Sequence, residues 1–530
     1  MYQVGYQCLT ELARLQTKPF HSKRPVELAE HYDKLLIGND MTDHLTLYKE
    51  LCQKEKTAKE MGKRFGQLDS NYKNQVEMLL SDEFSCALGE TPETSKERLH
   101  HAVELSCFFQ RIARFALHRQ GRVDIMETKM KNEEVSKMFG FEYYTPTRVI
   151  FGKGSENQVG ELIREYGAKK VLIHYGGKSA VKSGLIDRVK AALDASGVSH
   201  VELGGVVPNP HLSKVLEGIE LGKQENVDFI LAVGGGSVID SAKAISYGLA
   251  EPERDVWELF RGERKAKKTL PIASILTIAA AGSETSNSCV ITNEQTGEKR
   301  PYDDDISRAK FAIMDPELTM SLPDYQTEAG CTDIMMHTME RYFTNGGNME
   351  LTDEIAEGLL RTVMKYAEVL HQDPKNYDAR AEIMWAGSLA HNGLTGCGND
   401  GGDFVSHMLE HEMGGMFDVT HGAGLAAIWP SWARYVYKDC LPRFVRYAVK
   451  VMGVTPAGSD EETALKGIEE MEKFYHRIGM PINMRELGIE PTEEQILEMA
   501  ESCAGAVGGK KGSAKLLDQN DFAEIYRMAR

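Results

Sequence analysis

Asp333 and His337 stand four residues apart, His407 and His411 repeat that spacing, and His421 follows within Thr420-His421-Gly422. On a helix, a four-residue step brings two side chains onto one face, about one turn apart. Each half of the stretch can therefore aim a pair of donors at one point. Three imidazoles and a carboxylate can hold one divalent cation, and an open position on that cation polarises a substrate oxygen. A lone histidine on a helix is more often solvated or satisfied in a core; the doubled spacing and the glycine-flanked His421 favour a metal.

These residues need rigid helices, and from about Pro323 onward the pattern is mostly helical, with helices expected over 353–370, 378–392, 403–413 and 462–478. Upstream, short β-branched runs alternate with helices, the rhythm of a parallel α/β sheet. Val149-Ile150-Phe151, Lys170 to Tyr175, His200 to Leu203 and Asp228 to Val233 read as strands, and a helix runs through Leu185, Val189 and Leu193. The fourth strand enters Gly234-Gly235-Gly236-Ser237, followed by a helix opening at Val238 and carrying Asp240. A helix N-terminus preceded by glycine offers free N–H groups and a positive dipole end to a pyrophosphate. The turn departs from GxGxxG, which argues against the usual dinucleotide fingerprint. A phosphate-binding α/β domain beside a helical metal domain makes the cleft between them the natural active site.

The rest of the composition narrows the class. A chain of 530 residues supports more than one domain. Its nine cysteines form no CxxC pair, which suits a reducing cytosol, and a cytoplasmic location is expected. The start lacks a basic region followed by an apolar run, and no stretch is long and apolar enough to span a bilayer, so no membrane role is expected. A net charge of −17 opposes nucleic-acid binding. All of that charge lies beyond residue 125, since residues 1–125 hold 18 Lys+Arg and 18 Asp+Glu.

Residues 1–119 show only helical periodicity, best in Leu45, Tyr48, Leu51, Ala58, Met61 and Phe65 and again in Leu99, Ala102, Val103, Phe109, Ile112 and Ala116, which predicts a separate all-α bundle of four or five helices. Adjacent His100 and His101 point in different directions and do not suggest a metal site. A polar linker is expected over 120–138, and Met126 reads like the start of a self-sufficient protein, consistent with a fusion. The bundle resembles no family. It suits an interaction or assembly module, to be separated from a passive bundle by comparing the mass and partners of the full chain with those of residues 126–530.

Residues from about Phe141 to Arg530 resemble the iron-containing (group III) alcohol dehydrogenases, especially their NADPH-dependent butanol dehydrogenase or aldehyde reductase branch. The resemblance rests on Tyr144-Thr145-Pro146-Thr147 with Phe151-Gly152-Lys153-Gly154, Pro208-Asn209-Pro210, Gly234 to Ser237 with Asp240, Gly282-Ser283-Glu284, and most specifically Asp333-x3-His337 with His407-x3-His411 and His421. It implies an α/β NADP-binding domain over 139–322 and a helical metal-binding domain over 323–530. It further implies metal ligation by Asp333, His337, His407 and His421, phosphate contacts from Gly234, Gly235, Gly236 and Ser237, and a pocket lined by Asn209, Thr277, Ser283 and Lys299. His411 matches a family histidine that is not a usual ligand. Ala281 stands where relatives commonly have threonine. Fe²⁺ is favoured by the resemblance, although Zn²⁺ binds such donors tightly.

The implied reaction is hydride transfer between NADP(H) and small aldehydes or primary alcohols, in a homo-oligomer. Cofactor choice can be read from the second strand: NAD enzymes often place an acid on the ribose 2′-hydroxyl, whereas Tyr175-Gly176-Gly177-Lys178-Ser179 offers none, and Gly176, Gly177 and Ser179 supply N–H groups and a hydroxyl. His411, one turn from His407, is the candidate for proton transfer to the product alcohol. The dehydroquinate synthases resemble this two-domain plan; phosphate elimination without net NADPH turnover would favour that reading.

Overall fold

The computed structural model describes residues 24–37, 41–61, 63–88, 91, 95–96, 138–456 and 458–530. The chain divides into two compact units, Met1–Asn132 and Glu133–Arg530.

In the first unit, three helices are described: α1 (Pro25–Ile37), α2 (Met41–Glu60) and α3 (Gln67–Leu88). Proline opens α1, where its missing N–H costs nothing. Leu45, Tyr48 and Leu51 recur at three-residue steps along α2 and are buried with Tyr32, Val76 and Leu80. The Tyr32 hydroxyl donates to Asp69, which also accepts from Lys54 at 3.3 Å. Met61, expected on the same apolar face, is 63% exposed because α2 ends at Glu60. The second apolar run from Leu99, the His100-His101 pair and the linker before Met138 lie outside the described residues.

The second unit opens with a six-stranded parallel sheet in the order β1-β8-β5-β4-β2-β3. Its strands are β1 (Arg148–Phe151), β2 (Lys170–Tyr175), β3 (Ser199–Leu203), β4 (Phe229–Gly234), β5 (Ile272–Leu276) and β8 (Phe311–Met314). An antiparallel hairpin of β6 (Ser288–Asn293) and β7 (Glu298–Asp303) stands apart from the sheet. Alternate residues on a strand face opposite sides, and here both sides are covered. Val171, Ile173, Phe229, Leu231 and Ile275 pack under α4 (Val159–Glu165) and α5 (Leu185–Ala195). Leu172, Ile230, Ala232 and Leu276 pack under α6 (Leu212–Glu225) and α7 (Gly236–Ala250), in a core continuous with the helical domain.

That helical domain contains α8 (Asp324–Tyr342), α9 (Glu350–Gln372), α10 (Tyr377–His391), α11 (Val405–Phe417), α12 (His421–Val436), α13 (Leu441–Lys450), α14 (Asp460–Arg477), α15 (Glu493–Ala506) and α16 (Gln519–Ala529). Each of the four helices expected from periodicity is present, with boundaries moved by one to four residues. No described helix is long and apolar enough to cross a membrane.

One buried polar bridge fixes α7 to the sheet. His174 on β2 is fully buried, with Nδ1 3.0 Å from the Leu203 carbonyl and Nε2 2.8 Å from Ser241 Oγ on α7. Burial holds it neutral, lowering its pKa from 6.5 to about 4. The unfolded chain therefore takes up a proton more readily than the folded one. Stability from this group is complete above pH 6.5 and is lost as pH falls toward 4, by about 3 kcal/mol at most. Replacing His174 with leucine should lower the urea midpoint at pH 7.5, because Ser241 and the Leu203 carbonyl lose their partner, and should flatten the decline between pH 6.5 and 4. Tryptophan fluorescence during urea titration at several pH values checks both.

Candidate metal centre and cofactor crevice

Asp333 and His337 occupy the middle of α8, His407 and His411 one face of α11, and His421 the first position of α12. The helices converge because their small residues permit it. A Cβ at Gly422 would lie 1.9 Å from the Ala329 carbonyl oxygen, so α12 can cross α8 this closely only with glycine beside His421. The result brings Asp333 Oδ1 to 3.6 Å from His407 Nε2 and 3.7 Å from His421 Nε2. Asp333, His407 and His421 form one compact donor group, and Glu410, His411 and His421 a second that shares His421.

His337 is placed differently. Its Nδ1 lies 3.1 Å from Asp333 Oδ1 and 3.1 Å from the Asp333 carbonyl, and its ring lies against His407 and His391, with centroids 4.4 and 3.9 Å away. It borders the compact group without joining it. His411 is buried on the far side of His421, at 5.9 Å between centroids. Burial and nearby Lys299 hold its pKa well below 6.5, so it stays neutral.

Two buried carboxylates orient the converging rings. His407 Nδ1 is hydrogen-bonded to Glu340 Oε2, while the backbone N–H of His407 donates to Oε1 of the same carboxylate at 3.0 Å. His421 Nδ1 is hydrogen-bonded to Glu410 Oε2. With each Nδ1 occupied, the Nε2 edges turn toward Asp333. Neither glutamate was expected, although the spacing carried the signal: Asp333, His337 and Glu340 fall at i, i+4 and i+7, and His407, Glu410 and His411 at i, i+3 and i+4. His391 was also missed; it closes α10, and its buried Nδ1 makes no hydrogen bond among the described residues.

The donor set fits a divalent cation. Among the described residues, no group makes a well-directed hydrogen bond to buried Asp333 Oδ1 or His407 Nε2, although the His337 ring approaches the former, and such atoms are costly unless something completes them. Burial disfavours charge on both groups, yet the histidines around Asp333 hold its carboxyl well below the usual range, while Glu340 and Asp333 raise His407 to about 10. The carboxylates thus recruit positive charge to this point.

The cofactor candidates gather at the C-terminal ends of β2 and β4, which are neighbours although β3 lies between them in sequence. At such a switch in strand order, flanking connections diverge and leave a crevice. A Cβ at Gly176 would lie 3.6 Å from Val238 Cγ2 in the first turn of α7, so the turn after β2 packs beside the start of that helix. Gly177 and Ser179 are exposed, and Gly236 and Ser237 half-buried. Gly234 and Gly235 have a packing reason for lacking a side chain, since a Cβ would strike Val238 at 2.4 Å and Ile278 at 2.8 Å. Ser283 Oγ and the Ala281 methyl border Gly236, so the residue standing in place of threonine does face the turn. Thr277 follows β5 and donates its N–H to the Gly234 carbonyl.

Asp240 is buried on α7, accepts from the Val290 N–H at 3.1 Å and thereby ties α7 to β6; burial raises its pKa to about 6. Asn209 adopts a left-handed backbone, and its side chain donates to Asp418 at 3.1 Å, spanning from the α/β layer to the α11–α12 turn. Lys299 is buried, with its ammonium 3.3 Å from Glu410.

Comparison with known proteins agrees with this architecture. The family model for iron-containing alcohol dehydrogenase matches residues 146–316, and that for the C-terminal part of the Fe-containing alcohol dehydrogenase family matches 327–530. NADH-dependent butanol dehydrogenase A of Clostridium acetobutylicum is 40% identical over 391 residues, covering 74% of this chain and 99% of that protein. The NADPH-dependent aldehyde reductase YqhD of Escherichia coli is 35% identical over 355 residues, covering 67% and 90%. The crystal structure of NADH-dependent butanol dehydrogenase A from Thermotoga maritima superposes with a TM-score of 0.71 at 39% identity, covering 74% of this chain and 99% of its own. The chain belongs to the iron-containing alcohol dehydrogenase family.

Proposed function

We propose that this enzyme interconverts small aldehydes and primary alcohols by hydride transfer with NADP(H), using one divalent metal held by Asp333, His407 and His421, with His337 as a fourth donor. The observation that carries the reading is the convergence of Asp333 Oδ1 and His407 Nε2, both buried and without a hydrogen bond among the described residues, with His421 Nε2. A divalent cation supplies Lewis acidity toward the substrate oxygen when bound there, and Fe²⁺ is the favoured ion, with Zn²⁺ able to use the same donors. Asp333 contributes the negative charge, and Glu340 and Glu410 hold the imidazoles so that little reorganisation accompanies the reaction. The crevice formed by 176–179 and 234–237 orients the cofactor phosphates through backbone N–H groups. His411 acts as a neutral hydrogen-bond relay, passing a proton from one ring nitrogen to the other, in keeping with a pKa held below the neutral range.

The relatives named above divide between NADH and NADPH. NADPH is our reading for this chain because no acid ends β2, while exposed Lys178 and Ser179 stand where the following turn passes into a short helix.

Three outcomes follow. Asp333→Asn or His421→Ala should lose the bound metal, by elemental analysis of purified protein, and lower kcat/KM for butanal roughly 10³-fold, the scale expected on losing a Lewis acid. The wild-type enzyme should show higher kcat/KM with NADPH than with NADH, and Lys178→Glu should narrow that ratio by about tenfold, the worth of one charged phosphate contact. His411→Ala should retain its metal yet lower kcat roughly 100-fold with a changed pH profile; wild-type turnover across pH would remove the relay.

A further inference from the structure

Glu410 lies at the centre of a buried chain of contacts that begins on the hairpin. Lys299 on β7 and Glu410 on α11 form an ion pair at 3.3 Å, with side chains 6% and 0% exposed. The same carboxylate oxygen, Oε2, holds His421 Nδ1. The other oxygen, Oε1, is buried without a hydrogen bond among the described residues. Two glycines form the cradle. A Cβ at Gly414 would sit 3.1 Å from both Glu410 Oε1 and Lys299 Nζ, and one at Gly424 would sit 2.9 Å from Glu410 Cγ. The backbone is thus shaped to admit this pair.

Burying two charges is unfavourable unless geometry and further hydrogen bonds offset the lost hydration. A packing role would be served as well by apolar side chains, so the pair calls for another explanation. The carboxylate meets the Lys299 ammonium on one side and the His421 ring on the other, both through Oε2. A carboxylate acceptor on Nδ1 sets the orientation of the His421 ring and directs Nε2 toward Asp333.

We propose that Glu410 is a positioning residue of the metal centre, which orients and strengthens His421 as a donor, and that Lys299 acts through Glu410 by anchoring its carboxylate to the β6–β7 hairpin. This inference rests on the metal reading above. It also gives the hairpin a role: β6 is tied by Val290 to Asp240 on the phosphate helix, and β7 by Lys299 to the metal-binding helix, so one element joins both halves of the site.

The test uses full-length enzyme stripped of metal and titrated with Co²⁺ against a chromophoric chelator, with the Co²⁺ d–d absorption recorded, for wild type, Glu410→Gln, Glu410→Asp, Lys299→Met and the Glu410→Gln/Lys299→Met double variant. Glu410→Gln, nearly isosteric, should bind Co²⁺ roughly 10- to 100-fold more weakly and shift the visible bands, with Glu410→Asp in between. Lys299→Met should weaken binding about tenfold in the wild-type background and leave the Glu410→Gln variant almost unchanged, since coupled residues are not additive. Wild-type affinity and spectrum in Glu410→Gln would overturn the inference while leaving the metal reading in place. Additive losses, or tighter binding in Lys299→Met, would overturn the role given to Lys299. A wild-type chain that takes up no Co²⁺ would remove the metal reading and this inference together.

Discussion

Asp333 is a buried carboxylate facing the Nε2 edges of two histidines, and the rest of the catalytic unit is arranged so that this contact exists. Each ring is held from behind by a buried glutamate. Each glutamate is reachable only because helices α8, α11 and α12 approach closely, and the approach between α8 and α12 depends on a missing Cβ at Gly422. Backbone crossing, ring orientation and charge are thus successive layers of one constraint. An isolated buried carboxylate would be expelled or neutralised; here it is stabilised by imidazoles and fitted to receive a cation.

The α/β half answers a different requirement, the delivery of a phosphorylated cofactor to a fixed place. A parallel sheet covered on both faces leaves its strand ends as the accessible backbone, and the switch between β2 and β4 opens them into a crevice. His174 locks α7 to the sheet, and Asp240 extends that connection to the hairpin. Asn209 and Asp418, both left-handed, meet across the two halves. The strand ends and helices α8, α11 and α12 are therefore joined by specific polar contacts as well as by the shared apolar core.

Much of this was legible in the residues. β2 was read to the residue, because the apolar run Val171-Leu172-Ile173 sits between a lysine pair and the Gly176-Gly177 turn. Four-residue spacing marked the candidate donors, and Asp333, His407 and His421 lie close together. Spacing alone does not decide direction. His337 Nδ1 lies 3.1 Å from both the Asp333 carboxylate and its backbone carbonyl, and Lys299 pairs with Glu410, neither of which the spacing specifies. Met61 failed as a core residue because periodicity does not say where a helix stops. The β6–β7 hairpin had no strong signal, since Glu298-Lys299-Arg300-Pro301 reads as a polar loop until Lys299 finds a buried anion. Ala281 was noted as a departure, and its methyl does stand against the phosphate turn, a position that neighbouring helices rather than local pattern determine.

The central claim is that one divalent cation at Asp333, His407 and His421 is required for hydride transfer. Stripping the anaerobically purified enzyme with a chelator, then restoring Fe²⁺ or Zn²⁺ stepwise while following aldehyde-dependent NADPH absorbance, tests it most directly. The account predicts that turnover disappears with the metal and returns in proportion to occupancy, reaching its plateau at one ion per chain. Full turnover in the stripped enzyme, or a plateau unrelated to occupancy, would contradict it.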